Sequence, residues 1–448
     1  MRTIVVFGAG LSSAVLIDYL LDHAEAEDWK VRIGDIDLLL AQEKIGEHPR
    51  GEAFLFDVFN IDQCRDEVAH ADMVISMLPA RMHVEVAKAC VSFKKPMVTA
   101  SYVSSEMRSL DEKAKEAGVV LMNEIGVDPG IDHMSAMAVL DEIRSEGGKV
   151  LQFESFTGGL VAPESDNNPW NYKFTWNPRN VVLAGAGGAV KFKQEGRYKY
   201  IPYHQLFRRT EIVELPEYGK FEGYANRDSL QYRGEYGLED IPTIYRGTFR
   251  RPGFCRAWDV FVRLGATDDS YIMEGSETMT NRQFLNSFLG YNPNDSVELK
   301  LMHYLKIDQD NAIMDKLKWL GLFDDTVIGL SNVTPAQILQ HILEQKWSME
   351  EDDLDMIVMY HLFGYEQNGE KKQRESFMII KGDDRRRTAM AKTVGLPVAI
   401  AAKMILNGVI KTPGVQIPIS SEIYEPVLEE LKSFGIEFKD RYGEYRGY

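Results

Sequence analysis

Apolar positions in the first 127 residues come in short runs separated by segments of helical periodicity. Six of the runs read as strands, at 3–7, 31–35, 53–57, 73–77, 97–99 and 119–123. The intervening stretches space their apolar residues three and four apart, as on one buried helix face. This alternation is the pattern of an α/β fold built on a doubly wound parallel sheet. From 151 to about 264 the rhythm lengthens into extended segments rich in Tyr, Phe, Trp and Arg, among them 151–158, 198–202 and 244–251, which predict a mixed sheet in a second unit. Between about 279 and 360 the periodicity is helical, and Thr334 with Pro335 supplies an N-cap and first-turn pair ahead of the run 338–343. The segments 361–366 and 376–380 then flank Asn368-Gly369, a pair suited to a two-residue hairpin turn, so the chain is expected to return to the second sheet. The domains predicted are 1–129 with 390–448, 130–278 with 361–389, and a small all-helical insertion at 279–360. A long apolar helix over 390–410 is expected to pack back on the first sheet.

The first strand runs into Gly8-Ala9-Gly10-Leu11-Ser12-Ser13 and then a helical pattern. Glycines at such a turn let backbone approach a pyrophosphate, which the N–H groups of a helix start can hold. Ser13 stands in place of the third glycine of the usual fingerprint, and a glycine turn can also serve packing alone. Its position after the opening strand nevertheless predicts a dinucleotide. The second strand ends at Asp35, where a carboxylate accepts hydrogen bonds from the adenosine ribose hydroxyls and repels a 2′-phosphate. Asp35 with Ile36 therefore favours NAD over NADP. Asp57 and Val58 would lie near the adenine edge, and Met77, Ala100 and Ser101 follow strands whose ends would meet the cofactor.

The stretch Asn123-Glu-Ile-Gly-Val-Asp-Pro-Gly-Ile-Asp-His133 gathers three acids and a histidine at a forced turn. With Pro129 and Gly130 in the two central turn positions, Asp128 sits on a bend opening into a helix over 132–144. The backbone through Val127, Asp128, Pro129, Gly130, Ile131, Asp132, His133 and Met134 is expected to wrap the nicotinamide end of the cofactor. Without its context the stretch would equally be a capped helix start with a solvated acidic turn. His133 reads as a hydrogen-bonded structural residue. The acidic run 350–353 reads as the capped start of a helix, and Arg385, Arg386 and Arg387 as a solvated loop.

A net charge of −17 disfavours nucleic acid and anionic membrane surfaces, and leaves room for local arginine or lysine pockets that take small anions. The three cysteines, Cys64, Cys90 and Cys255, form no CxxC pair and have no zinc-type spacing with histidine, so no metal is expected and a reducing cytoplasmic setting is. Gly8 and Gly10 cut the opening apolar run, which argues against a secretion signal. Pro397, Lys403 and Asn407 interrupt the apolar stretch 394–410, so no membrane span is expected.

With these residues placed, the chain resembles the saccharopine reductases, the glutamate-forming saccharopine dehydrogenases. The likeness rests on Gly8-Ala9-Gly10, Asp57-Val58, Ser101-Tyr102, the 123–133 block, Gly158-Gly159-Leu160 with Ala162-Pro163-Glu164, Tyr172-Lys173-Phe174, Asn226-Arg227-Asp228-Ser229, Arg246-Gly-Thr-Phe-Arg250, Pro252-Gly-Phe-Cys255 and Gly395-Leu-Pro-Val-Ala-Ile400. It implies a Rossmann-like domain, an α/β substrate and dimerisation domain, and a small helical domain. The implied reaction is reversible reduction, with NAD or NADP, of the imine between 2-aminoadipate 6-semialdehyde and L-glutamate. It also implies a homodimer. A substrate with three carboxylates calls for arginine forks, and the resemblance points to Arg227 and Arg250 with Thr248 and Phe249. Ser101 and Tyr102 would bind a substrate carboxylate or amine, and Asp128 would stabilise the iminium or relay a proton. Trp176 would cover the nicotinamide or close the cleft, although an aromatic cluster such as Tyr172-Lys-Phe-Thr-Trp176 can simply be core.

Two positions depart from the family pattern. Fungal members usually carry an arginine for the 2′-phosphate where this chain has Ile36, and often a cysteine in the substrate cleft where it has Thr157. Two other readings share parts of this sequence: an imine reductase making carboxynorspermidine or carboxyspermidine, against which the Arg227 and Arg250 pair argues, and a non-catalytic dinucleotide sensor.

Overall fold

The computed structural model describes residues 1–226, 228–308 and 311–447. Two compact units are present. One consists of Met1–Val150, Glu366–Glu370 and Ser376–Arg441, the other of Leu151–Tyr365, Lys371–Glu375 and Tyr442–Tyr448.

The first unit is organised by a seven-stranded sheet in the order Gly414–Gln416, Val120–Met122, Met97–Val98, Met73–Ser76, Arg2–Phe7, Trp29–Asp35, Gly51–Leu55, with every pairing parallel. Helices such as Ala14–Asp22, Leu38–Ile45, Ile61–His70 and His83–Phe93 fill the crossovers. Such connections cover both faces of the sheet, which is why Ile4, Val5, Val6 and Phe7 are all fully buried. The strand order reverses between Arg2–Phe7 and Met73–Ser76, and the crevice at the carboxyl ends of those two strands is where open α/β sheets bind ligands. Six strands match the sequence expectation. The seventh, Gly414–Gln416, escaped it because three residues are too few to display alternation.

Helix Ala389–Leu406 lies against helix Ala14–Asp22. A Cβ on Gly395 would stand 2.9 Å from the Leu16 nitrogen and 3.2 Å from the Ser12 carbonyl, so the helices meet backbone to backbone. Ser13, in the place of the third glycine, donates its hydroxyl to the Gly10 carbonyl at 2.8 Å. The helix has the length and mean hydropathy of a membrane span, contrary to the interrupted pattern expected, but 72% of its apolar window is buried within the protein. Arg386, expected in a solvated loop, instead pairs with Asp18 at 2.6 Å.

The second unit is built on a mixed sheet. The main path of that sheet runs Thr210–Leu215, Gly219–Ala225, Thr243–Arg250, Lys149–Val161, Asp355–Gln367, Glu370–Lys381, Lys439–Glu444, and its first five strands belong chiefly to this unit. Thr243–Arg250 pairs parallel with Lys149–Val161 and antiparallel with Gly219–Ala225. Asn368 and Gly369 close the hairpin at φ 54° and 79°, the left-handed pair that a type I′ turn requires.

The helical segment contains Asn281–Asn286, Val297–Leu305, Ala312–Trp319 and Pro335–Trp347. Thr334 and Gln337 cap the last of these reciprocally, at 3.3 Å and 2.8 Å. Helix ends at Trp347 and strand resumes at Asp355, earlier than the expected 360. The acidic run 350–353 therefore precedes a strand. Its Asp353 is buried, accepting from Lys173 Nζ at 2.5 Å and from the Glu350 amide at 2.6 Å.

Candidate active site

At the switch point of the first sheet, Gly8 has φ 105°, and a Cβ there would come within 2.8 Å of the Met77 carbonyl. Only a glycine lets these two strand ends approach so closely. Beyond it Gly10 has open space where a Cβ would go, and Leu11 is exposed. Ala9 donates its amide to Asp35 Oδ2 at 2.6 Å, and Asp37 donates its amide to Oδ1 at 2.9 Å. Each Asp35 oxygen has further acceptor capacity, so the carboxylate can shape the loop and still take ribose hydroxyls. Ile36 projects into solvent, 76% exposed. At the next strand end Asp57 is exposed and accepts the Phe59 amide at 3.0 Å, while Val58 packs on the core. These residues fit a dinucleotide: a cradle that a Cβ would fill, amides at a helix start, and an acid beside the loop.

The acidic turn differs from the expected one, because the Asp128–Pro129 bond is cis. The loop closes on itself. Gly126 donates to the Pro129 carbonyl at 2.9 Å, Ile131 donates back to Gly126 at 2.8 Å, and a Cβ on Gly130 (φ 147°) would fall 2.1 Å from the Gly126 carbonyl. Helix Ile131–Ser145 follows, close to the predicted 132–144. Of the three acids, two are buried and bound locally. Asp132 accepts the Gly130 amide at 2.6 Å, and Glu124 accepts the Val103 amide while facing His133 Nε2, both at 2.9 Å. His133 is fully buried, in agreement with a structural role, and Ile131 and Met134 are core. Asp128 is the half-buried acid, 3.2 Å from the hydroxyl of Tyr102. Ala100 packs at Gly126, where an added Cβ would stand 3.0 Å from its own.

Ser101 is held by a residue that sequence reasoning missed. Ser76 Oγ lies 2.8 Å from His83 Nδ1, and His83 Nε2 lies 2.7 Å from Ser101 Oγ. Burial lowers the His83 pKa to about 4. A neutral imidazole has one N–H and one lone pair, so one serine donates to the ring and the other accepts from it. The ring thereby fixes the position of Ser101 Oγ. A lone histidine on helix His83–Phe93 carries no sequence signal for this. The burial has a measurable consequence: unfolded imidazole titrates near pH 6.5, so between about pH 6.5 and 4 the unfolded chain binds the extra proton and native stability falls. Urea melts should show about 2 kcal/mol of this loss between about pH 6.5 and 5, absent in His83→Asn. An equal loss in the variant would assign it to other groups.

In the second unit, Thr157 and Thr248 are register partners on adjacent parallel strands, and the Thr157 hydroxyl is buried without a hydrogen-bond partner. Phe249 is core, stacked on Phe156 at 4.9 Å and close against Gly158. The next residue, Arg250, is 3% exposed, with its guanidinium 5.0 Å from the Tyr172 ring centre, 5.4 Å from Phe254 and 5.8 Å from Tyr224. Nη1 donates to the Phe249 carbonyl at 2.8 Å, while Nε is buried and unpartnered. No described carboxylate lies within ion-pair range of this cation. Its cross-strand neighbour Glu222 is engaged elsewhere, accepting the amides of Gly253 and Cys255 at the start of helix Phe254–Leu264. Trp176 is half-buried beside Tyr172. Arg227 lies outside the described residues.

A glycine cradle at the switch point of a parallel sheet, with an acid, a tyrosine and an oriented serine at neighbouring strand ends, defines a dinucleotide-dependent oxidoreductase. Comparison with known proteins places the chain further. Residues 4–122 match the saccharopine dehydrogenase NADP binding domain and residues 126–436 the saccharopine dehydrogenase C-terminal domain, so the chain belongs to the saccharopine dehydrogenase family. It is 34% identical to saccharopine dehydrogenase [NADP(+), L-glutamate-forming] of Saccharomyces cerevisiae, over 98% of this chain and 99% of that one. It is also 33% identical to rat mitochondrial alpha-aminoadipic semialdehyde synthase, again over 98% of this chain, but there it spans only 47% of the relative's length. The solved apo saccharopine dehydrogenase (L-Glu forming) from S. cerevisiae superposes with a TM-score of 0.89 at 32% identity, covering 99% of this chain and all of that one.

Proposed function

We infer that the protein interconverts saccharopine with L-glutamate and 2-aminoadipate 6-semialdehyde, as a step of lysine metabolism. The observation that carries this reading is Arg250, a buried cation with no described acid partner, whose natural complement is a carboxylate of the substrate. When bound, the nicotinamide takes up or delivers the hydride. In the direction of saccharopine oxidation, the secondary amine loses a hydride from carbon and a proton from nitrogen. Water then adds to the imine, and the carbon–nitrogen bond breaks to release glutamate and the aldehyde. Asp128, hydrogen-bonded to Tyr102, balances the iminium charge or carries the proton, and Ser101, oriented by His83, holds a polar group of the substrate. Within the second unit, Thr157 presents a buried hydroxyl without a hydrogen-bond partner. Initial rates of nicotinamide reduction with purified protein and saccharopine test the proposal, and silence with both NAD and NADP overturns it.

The family's cofactor is of the NADP type, and within it this chain is proposed to prefer NAD. Asp35 disfavours a 2′-phosphate, and exposed Ile36 offers it no cation. Ile36→Arg should raise the NADP-to-NAD ratio of kcat/KM by about ten-fold, the worth of one charge-assisted contact. Asp35→Ala should shift the ratio the same way while lowering efficiency with both cofactors, because the Ala9 amide loses its acceptor. An unchanged ratio in both variants would remove the argument. The proposal also takes the protein to be a cytoplasmic homodimer without nucleic-acid or membrane partners. Three buried, unpaired cysteines support the reducing compartment, and the particle mass by light scattering tests the dimer.

A further inference from the structure

A cavity wholly within the second unit is lined by basic groups. It measures about 660 Å³ and is bounded by strand Arg197–Ile201, the short 3₁₀ turn Tyr203–Arg208 and helix Phe254–Leu264. Arg208, Arg209, Arg256, Arg263 and His204 line it, and among the described residues no acid does. Arg256 and Arg263 are seven residues apart on one helix, hence on the same face two turns apart. The nearby acids do not consume this charge. Asp259 pairs only with Arg208, at 3.5 Å, although Arg263, Arg256 and His204 face it as well, and Glu211 faces Arg209 without an ion pair. Arg209 reaches the Gln194 side chain and the Phe192 ring, and Arg263 reaches the Leu305 carbonyl. Arg209, Arg256 and Arg263 thus have no described carboxylate within ion-pair range. Asp259 is 6% exposed, and its Oδ1 has no hydrogen-bond partner.

Like charges gathered in one concavity repel one another, and in a chain of net charge −17 acids to neutralise them are abundant elsewhere. Guanidinium forks match oxyanions two oxygens at a time, and the volume is that of a small-molecule site. We propose that this cavity binds a small multivalent oxyanion, its anionic groups held by Arg209, Arg256 and Arg263. Di- and polyphosphates and polycarboxylates share this chemistry.

Calorimetric titration at fixed ionic strength, with the dinucleotide site saturated by NADH, tests it using pyrophosphate for one source and citrate for the other. Binding of at least one probe is expected, weakened about ten-fold or more in Arg256→Ala/Arg263→Ala, with turnover in the absence of the anion unchanged. These arginines lie on the outer side of their helix, so the variant should fold, and thermal melting checks that it does. Neither probe binding, or equal binding by wild type and variant, overturns the proposal. A fall in particle mass in Arg256→Glu would make the face a contact between copies of the chain, and would overturn it too.

Discussion

Replacing Arg250 with methionine is expected to lower kcat/KM for saccharopine by about 10²–10³-fold while leaving the protein at least as stable as before. The two effects have opposite signs for one physical reason. A guanidinium at 3% exposure, with no described carboxylate near it, raises the free energy of the ligand-free fold, and three aromatic rings at 5.0–5.8 Å offset only part of that. Methionine fills similar space without the charge, so the melting temperature should stay within about 2 °C of wild type or rise. Substrate binding, in contrast, loses its buried counter-ion. Arg250→Lys keeps the charge but not the fork, and should fall between the two in activity. A melting temperature that drops sharply in Arg250→Met would instead assign the arginine to the architecture.

Asp128→Asn should reduce kcat by about 10²–10³-fold, the usual worth of a positioned acid–base or counter-charge group, with little change in the apparent affinity for the dinucleotide. The neighbouring acids make the comparison informative. Glu124 and Asp132 sit in the same eleven-residue block, but both are buried and committed to backbone amides, so Asn at either should cost stability rather than turnover. Tyr102→Phe removes the hydroxyl 3.2 Å from Asp128 and should have a smaller effect, about ten-fold on kcat. Normal turnover in Asp128→Asn would move the chemistry to another group.

What could be read from the chain follows from how far each feature depends on local sequence. Gly8 and Asp35 were legible because a backbone contact at 2.8 Å and a strand-end acid demand particular residue types at particular places. The hairpin at Asn368-Gly369 was legible for the same reason, since few residues take two consecutive left-handed conformations. Strands Val190–Gln194, Thr210–Leu215, Gly219–Ala225 and Lys439–Glu444 were not, because charged residues interrupt their apolar alternation and partners distant in sequence stabilise them. His83 was invisible for a different reason: Ser76 and Ser101, the groups it joins, are close only after folding. Arg250 could be selected only by resemblance, because nothing in its flanking residues tells a buried cation from a surface one.

Residues Ser376–Arg441 belong to the same compact unit as Met1–Val150, and they bring to it both the edge strand Gly414–Gln416 and the helix whose Gly395 lies against Ser12 and Leu16. During synthesis Met1–Val150 leaves the ribosome before Ser376–Arg441 and therefore waits for it. Its sheet lacks an edge, and the helix after its glycine loop lacks a packing surface, until residues 389–416 have been made. Nascent chains stopped before residue 389 would expose that apolar face, and the ability to bind a dinucleotide would arrive only with the helix and edge strand that follow.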